Sequence, residues 1–88
     1  MMIALIPSDV ANGVRGQPDA CAIARAVKRA AGRDDVAVEN ADEIKIGRRT
    51  YSVPDYADTF LVDKFIQRFD CGAPVDLIAF EIVHAFGS

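Results

Sequence analysis

His84, Cys21 and Cys71 are the residues of this chain that most readily do chemistry near neutral pH. A Cys21–His84 or Cys71–His84 pair would join a nucleophile to its base. A thiol at the start of a helix, where Cys21 falls, also has its thiolate favoured by the helix dipole. Zinc would need His84 joined by the cysteines or by carboxylates, and no local ligand spacing supplies such a set. A small buried thiol on a mostly Ala-lined helix is the simpler reading of Cys21. The chain is therefore expected to be non-enzymatic, with no catalytic residue, no metal and no cofactor. The two cysteines lie far apart and outside any Cys-x-x-Cys pair, so free thiols are expected in a reducing cytosol, a disulfide being the lesser reading.

The remaining motifs divide between caps and surfaces. Asp42 and Glu43, and Asp55 and Asp58, are carboxylate pairs, the latter better explained as helix-start residues than as an acid–base pair. Gly13-Val14-Arg15-Gly16 is too short for a phosphate-cradling loop and lacks the Gly-Lys-Ser/Thr ending. Arg25, Lys28, Arg29 and Arg33 recur on one side of the first long helix, and Arg48 and Arg49 add a second basic point at a hairpin tip. These cations read as a solvated face, or as contacts to phosphates or an acidic partner. No aromatic residue interleaves with them, so a stacking platform for single strands is not indicated. Tyr56 and Phe60 are four apart on a second helix, opposite a Leu61–Phe65–Phe69 stripe and beside Asp63, Lys64 and Gln67. Left exposed, they anchor a protein interface; covered by the hairpin or the N-terminal loop, they are core.

These groups must be positioned by a chain of 88 residues, which is one domain with one core. Hydrophobic residues at 51% and charged residues at 26% are the balance of a globular protein, not a disordered one. The net charge of −3 argues against a general nucleic-acid binder. The apolar runs at 1–7 and 77–80 are far short of the ~20 residues that cross a bilayer, so no membrane partner is expected. No basic stretch precedes the first run, as a signal peptide requires, and a cytoplasmic location is expected.

Met2-Ile3-Ala4-Leu5-Ile6 reads as a strand that Pro7 stops, and residues 8–13 as one helical turn capped by Ser8 or Asp9. The first long helix is expected over 18–31, with Pro18 at its first position, Asp19 and then Lys28 and Arg29 matching the dipole, and Gly32 as its stop. Val36 and Val38 alternate as a half-buried strand does. Ile44 and Ile46, then Tyr51 and Val53, flank a hairpin loop. Gly47-Arg48 as that loop, in a type II′ turn, sets Ile44 opposite Tyr51. Pro54 ends the strand, and Asp55 or Asp58 caps a second helix reaching Phe69 or Asp70, its apolar face made of Leu61, Val62, Phe65, Ile66 and Phe69. Residues 77–83 close the chain as a strand. The order β-α-β-β-β-α-β predicts an α+β domain over 1–86, with one mixed or antiparallel sheet and two helices on one face. Gly87-Ser88 reads as a tag remnant or a disordered tail. The strand at 2–6 or that at 77–83 is expected at a sheet edge, where an apolar strand invites a homodimer.

The succession Asp9-Val10-Ala11-Asn12-Gly13, residues 18–26, Phe65-Ile66-Gln67-Arg68-Phe69-Asp70-Cys71-Gly72 and Leu77-Ile78-Ala79-Phe80-Glu81-Ile82 resembles a family of small proteins of unknown function encoded by bacteriophages and prophages, often those of actinobacteria. That pattern pairs a Cys-Pro-Ile-Ala-type helix start with a Phe-Asp-x-Gly helix end and a closing Phe-x-Phe-like strand. Ala22 stands here where proline is usual, and Ile78-Ala79-Phe80 replaces the usual Pro-Phe-x-Phe. The resemblance implies a phage accessory protein and assigns no functional residue. With it, the expected function is binding of a host protein, as in inhibition of a host protein or defence system. Tyr56, Phe60 and Lys64 are then the expected contact surface, and Arg48 and Arg49 its electrostatic rim. The alternative is nucleic-acid binding through Arg25, Arg29, Arg48 and Arg49.

Overall fold

The computed structural model describes residues 1–85, and the Gly87-Ser88 tail lies outside them. Its elements in chain order are β1 (Met2–Ala4), α1 (Pro7–Asn12), α2 (Ala22–Ala31), β2 (Val36–Asn40), β3 (Glu43–Ile46), β4 (Arg49–Ser52), α3 (Tyr56–Asp70), β5 (Ala79–Glu81) and β6 (Val83–His84). The class is α+β, as expected. The expected single sheet is instead two antiparallel ones, β1-β5 and β2-β3-β4-β6.

The reason for two sheets lies in the closing strand. The Met1 carbonyl accepts from the Ile82 N–H at 2.9 Å, and the Ile78 carbonyl accepts from the Leu5 N–H at 3.0 Å. Even-numbered residues of the closing strand therefore bond toward β1. The Thr50 carbonyl accepts from the Ala85 N–H at 2.9 Å, so odd-numbered residues bond toward β4. In the β4–β6 register, Ser52 faces Val83, and the next bonded position would set Pro54 against Glu81. Proline has no N–H to give, and the chain turns there into α3. The strand thus pairs with β4 beyond Ile82 and with β1 before it. This breaks the expected strand over 77–83 into β5 and β6.

One core lies under both sheets. Ile3, Val36, Val38, Ile44, Ile46, Val53, Phe80 and Ile82 point into it from the strands, and their alternate neighbours are exposed or half-buried. Ala22, Ile23, Ala24, Ala26 and Val27 of α2 and Val62, Phe65 and Phe69 of α3 close it from the helix side. Leu61 leaves the apolar stripe expected of α3, being 47% exposed. The hairpin has the expected register, Ile44 opposite Tyr51 and Ile46 opposite Arg49. Gly47 takes φ of +62°, which a II′ turn demands at its first loop position.

The helices begin differently from their expected starts. The Pro18 carbonyl accepts the Val38 N–H at 2.8 Å, which diverts the segment before Cys21 from helix to a brace on the β2 edge. Cys21 becomes the N-cap of α2, its sulfur accepting the Ala24 N–H at 3.4 Å. In α1 the cap is Ile6, not Ser8 or Asp9, because Pro7 takes the first helical position. Asp9, one turn in, accepts the Ile6 N–H at 3.0 Å.

Asp9 is 0% exposed, and its charge is met by Arg29, whose Nη1 and Nη2 donate to Oδ1 and Oδ2 at 2.8 and 2.9 Å. The same Nη2 donates to the Ala4 carbonyl at 2.8 Å. The side chain thus joins β1, α1 and α2. Gly13 brings α1 against the start of α2 so closely that a Cβ there would lie 2.7 Å from the Ala22 nitrogen and the Asp9 carbonyl. Both are backbone atoms that cannot swing aside, so Gly13→Ala is expected to destabilise by about 1–3 kcal/mol, read from chemical denaturation. Asp9→Ala removes the acceptor of the Ile6 N–H and of the Arg29 fork, and with Arg29 itself 44% exposed to water it is expected to cost about 1–3 kcal/mol.

Burial works to raise the Asp9 pKa, but the Arg29 hydrogen bonds, the Ile6 N–H and the charges of Arg29 and Arg25 outweigh it and hold the carboxyl below its ordinary value. A depressed carboxyl contributes stability above its unfolded pKa and loses it as pH falls through the folded one. Denaturation midpoints are expected to fall from about pH 4 downward, with a shallower fall in Asp9→Asn.

Candidate protein-binding surface

Pro54 ends β4, and the Asp55 carboxylate accepts the Asp58 N–H at 3.1 Å as the N-cap of α3. Thr59 Oγ1 donates back to the Val53 carbonyl at 3.2 Å. At the side of the helix away from the core, the Asp63 carboxylate accepts the Ala41 N–H at 2.9 Å, and the Asp70 carboxylate accepts the Gly16 N–H at 2.9 Å. With Val62, Phe65 and Phe69 buried, these ties fix the rotation of α3. The flank opposite that buried stripe, with Tyr56, Phe60, Asp63 and Gln67, then faces solvent.

Tyr56 is 91% exposed and Phe60 64%. Neither the hairpin nor the N-terminal loop covers them, which decides between the two readings of this pair. Lys64 Nζ stands 5.9 Å from the Phe60 ring centroid, placing a cation against the aromatic face. Phe60, Asp63, Lys64 and Gln67 line one shallow depression, and Leu61 continues the apolar surface to the other side. Sequence places Leu61 on the buried face because the helical wheel sets it at the margin of that stripe; only the rotation of α3 decides on which side it falls.

Arg48 and Arg49 are elsewhere. They sit on the hairpin tip around a cavity shared with Ala31, Arg33 and Asp35, and no residue of that cavity lines the α3 depression. The strand β4 alone, four extended residues, sets roughly 13 Å between tip and helix start. Near the tip, Arg33 is held by Asp35, Nε to Oδ1 at 2.7 Å and Nη2 to Oδ2 at 2.6 Å. The alternative set of arginines is also divided. Arg29 is bound by Asp9 and Ala4, and Arg25 Nε lies 3.8 Å from Asp9 Oδ1, so two of the four point at a buried carboxylate of their own chain.

The residues that could do chemistry differ in their surroundings. Cys21 is buried at the foot of α2 in a cavity of about 170 Å³ walled by Ile23, Val38, Phe65 and Phe69. Burial pushes its thiol up from the ordinary value, against the pull of the Ala24 and Ile23 backbone groups. Cys71 is exposed at the C-terminal end of α3, and both thiols are free. The His84 ring is tilted against Tyr51 at 5.7 Å between centroids. Among the described residues no cluster of three His, Cys, Asp or Glu side chains is placed to hold a metal, and no helix is long and apolar enough to cross a membrane. Comparison with protein-family models, curated proteins and solved structures returns no match.

The two thiols are expected to differ in reactivity with a disulfide reagent at pH 8. Cys71→Ser should remove the fast phase, and Cys21→Ser should leave it intact.

Proposed function

We propose that this chain is a non-enzymatic accessory protein, of the bacteriophage type, that works by binding a protein of its bacterial host and thereby inhibiting it. The observation that carries the reading is the exposure of Tyr56, Phe60 and Leu61 on a helix whose orientation is fixed from beneath. Folding gains nothing from displaying a tyrosine and a phenylalanine side by side, whereas a partner that buries them gains the large rigid contact typical of interface anchors. Lys64 supplies the adjacent charge. The Arg48 and Arg49 tip belongs to a separate surface and is a second contact point only for a partner that spans β4. Nucleic-acid binding is the weaker alternative, because Arg29 is engaged with Asp9.

The test is affinity capture from lysate of a bacterial host, with and without nuclease, using the wild type and Tyr56→Ala/Phe60→Ala. One dominant protein that survives nuclease and weakens about 30-fold or more in the double variant is the expected result. Folding stability of that variant should change by no more than about 0.5 kcal/mol, since neither side chain is in the core. Undiminished capture by the double variant would remove this surface from the reading. Material lost on nuclease treatment would move the function to the arginines.

A further inference from the structure

The hydrogen-bond parity of the closing strand leaves one edge open. Met2 faces Glu81 and Ala4 faces Ala79 as the non-bonded pairs of the β1–β5 ladder, so the N–H and C=O of Ala79 and Glu81 point away from β1. On that side the next strand would be a continuation of β4, which Pro54 ends. No described residue pairs with Ala79 or Glu81 there. By contrast, Arg29 takes the outward Ala4 carbonyl on β1, and Pro18 takes the outward Val38 N–H on β2. Those two edges are blunted, as native sheets usually require, and that of β5 is not.

Beside the chain that leads into this edge runs a groove of about 330 Å³. Its one wall is Leu61, Lys64 and Arg68 of α3, and its other is Val75, Asp76 and Ile78. Arg68 Nε donates to the Pro74 carbonyl at 3.1 Å, which fixes the guanidinium at the groove's end. An open strand edge that continues from a groove walled by an apolar side chain and two cations of α3 is suited to an extended chain: the edge supplies backbone pairing, the groove a seat for alternate side chains.

We propose that the β5 edge and the groove beside α3 take an extended segment of the partner protein, which adds as a strand to β5. It seats an apolar side chain against Leu61, Val75 and Ile78 and presents a carboxylate to Lys64 and Arg68. This rests on the protein-binding reading above and names the form of the partner. Tyr56 and Phe60 lie outside the groove and contact the rest of the partner.

The test uses a phage-displayed library of random linear ten-residue peptides selected on the full-length protein. The expected selection is enriched in apolar residues at every second position with an acidic residue among them. A soluble acetylated peptide from it should lose at least tenfold in affinity when alternate residues are N-methylated, and little when the intervening ones are. Leu61→Asp and Ala79→Pro should each weaken it at least tenfold. The methylated peptides leave the protein untouched and decide the matter even if Ala79→Pro fails to fold. A library that yields no enriched peptide overturns the proposal. So do peptides with helical spacing that depend on Tyr56 and Phe60 but ignore Ala79→Pro, and these would leave the protein-binding reading standing. A dimer in sedimentation that excludes the peptide would also overturn it, making a second copy of the chain the occupant.

Discussion

The buried carboxylate of Asp9 constrains this small fold more than any apolar contact does. An ion with no exposure must be met on all sides, here by the Ile6 N–H before α1 and by Arg29 and Arg25 of α2. The Ile6 N–H fixes the turn from β1 into α1, and the Arg29 fork fixes the last turn of α2. The spare reach of Arg29 to the Ala4 carbonyl fixes the end of β1. Apolar packing of Ile23 and Val27 against the strands could be satisfied by many small rotations of α2. A bidentate pair could not, and so it selects one. At the other end of α1, Gly13 lets the chain approach the Ala22 backbone at the start of α2, so the two helices are held together at two places.

A second constraint, the loss of one N–H at Pro54, shapes the other end of the molecule. It halts the pairing of β4 with the closing strand, diverts the chain into α3, and leaves Ala79 and Glu81 facing outward. The helix that results is anchored from beneath by Val62, Phe65 and Phe69, tied at its side by Asp63 and Asp70, and capped by Asp55. Its outer flank is therefore held out to solvent in a fixed orientation. The open edge follows from Pro54 and the exposure of the aromatic pair from the burial of Val62, Phe65 and Phe69, and both lie on the part of the surface proposed for a partner.

The groups able to do chemistry stand in unlike surroundings. The buried thiol of Cys21 is held protonated by its surroundings and spends its lone pair on the helix cap. Cys71 is exposed at the C-terminal end of α3, and the His84 ring packs against Tyr51. Of the four arginines that could meet phosphates, Arg29 is consumed internally and Arg25 lies beside the same carboxylate. What remains prominent is rigid apolar area next to cations, the composition of a protein contact.

Local signals were enough for the elements themselves. Alternation placed the β2–β3–β4 meander, and Gly47 set the hairpin register because only one loop gives its first residue a positive φ without strain. Pro54 with Asp55 started α3, Gly32 ended α2, and the wheel put Tyr56 and Phe60 opposite the buried stripe; each depends on residues within a turn or two of one another. Asp9 was read only as a cap, because its pairing with Arg29 joins residues twenty apart through a contact that no spacing rule encodes. The start of α2 shifted to Cys21 because the Pro18 carbonyl found a strand edge instead of a helical N–H. The division into two sheets, the open edge of β5 and the exposure of Leu61 were likewise decided by tertiary structure. Which edge of a strand is paired, and which side of a helix is covered, depends on elements distant in sequence.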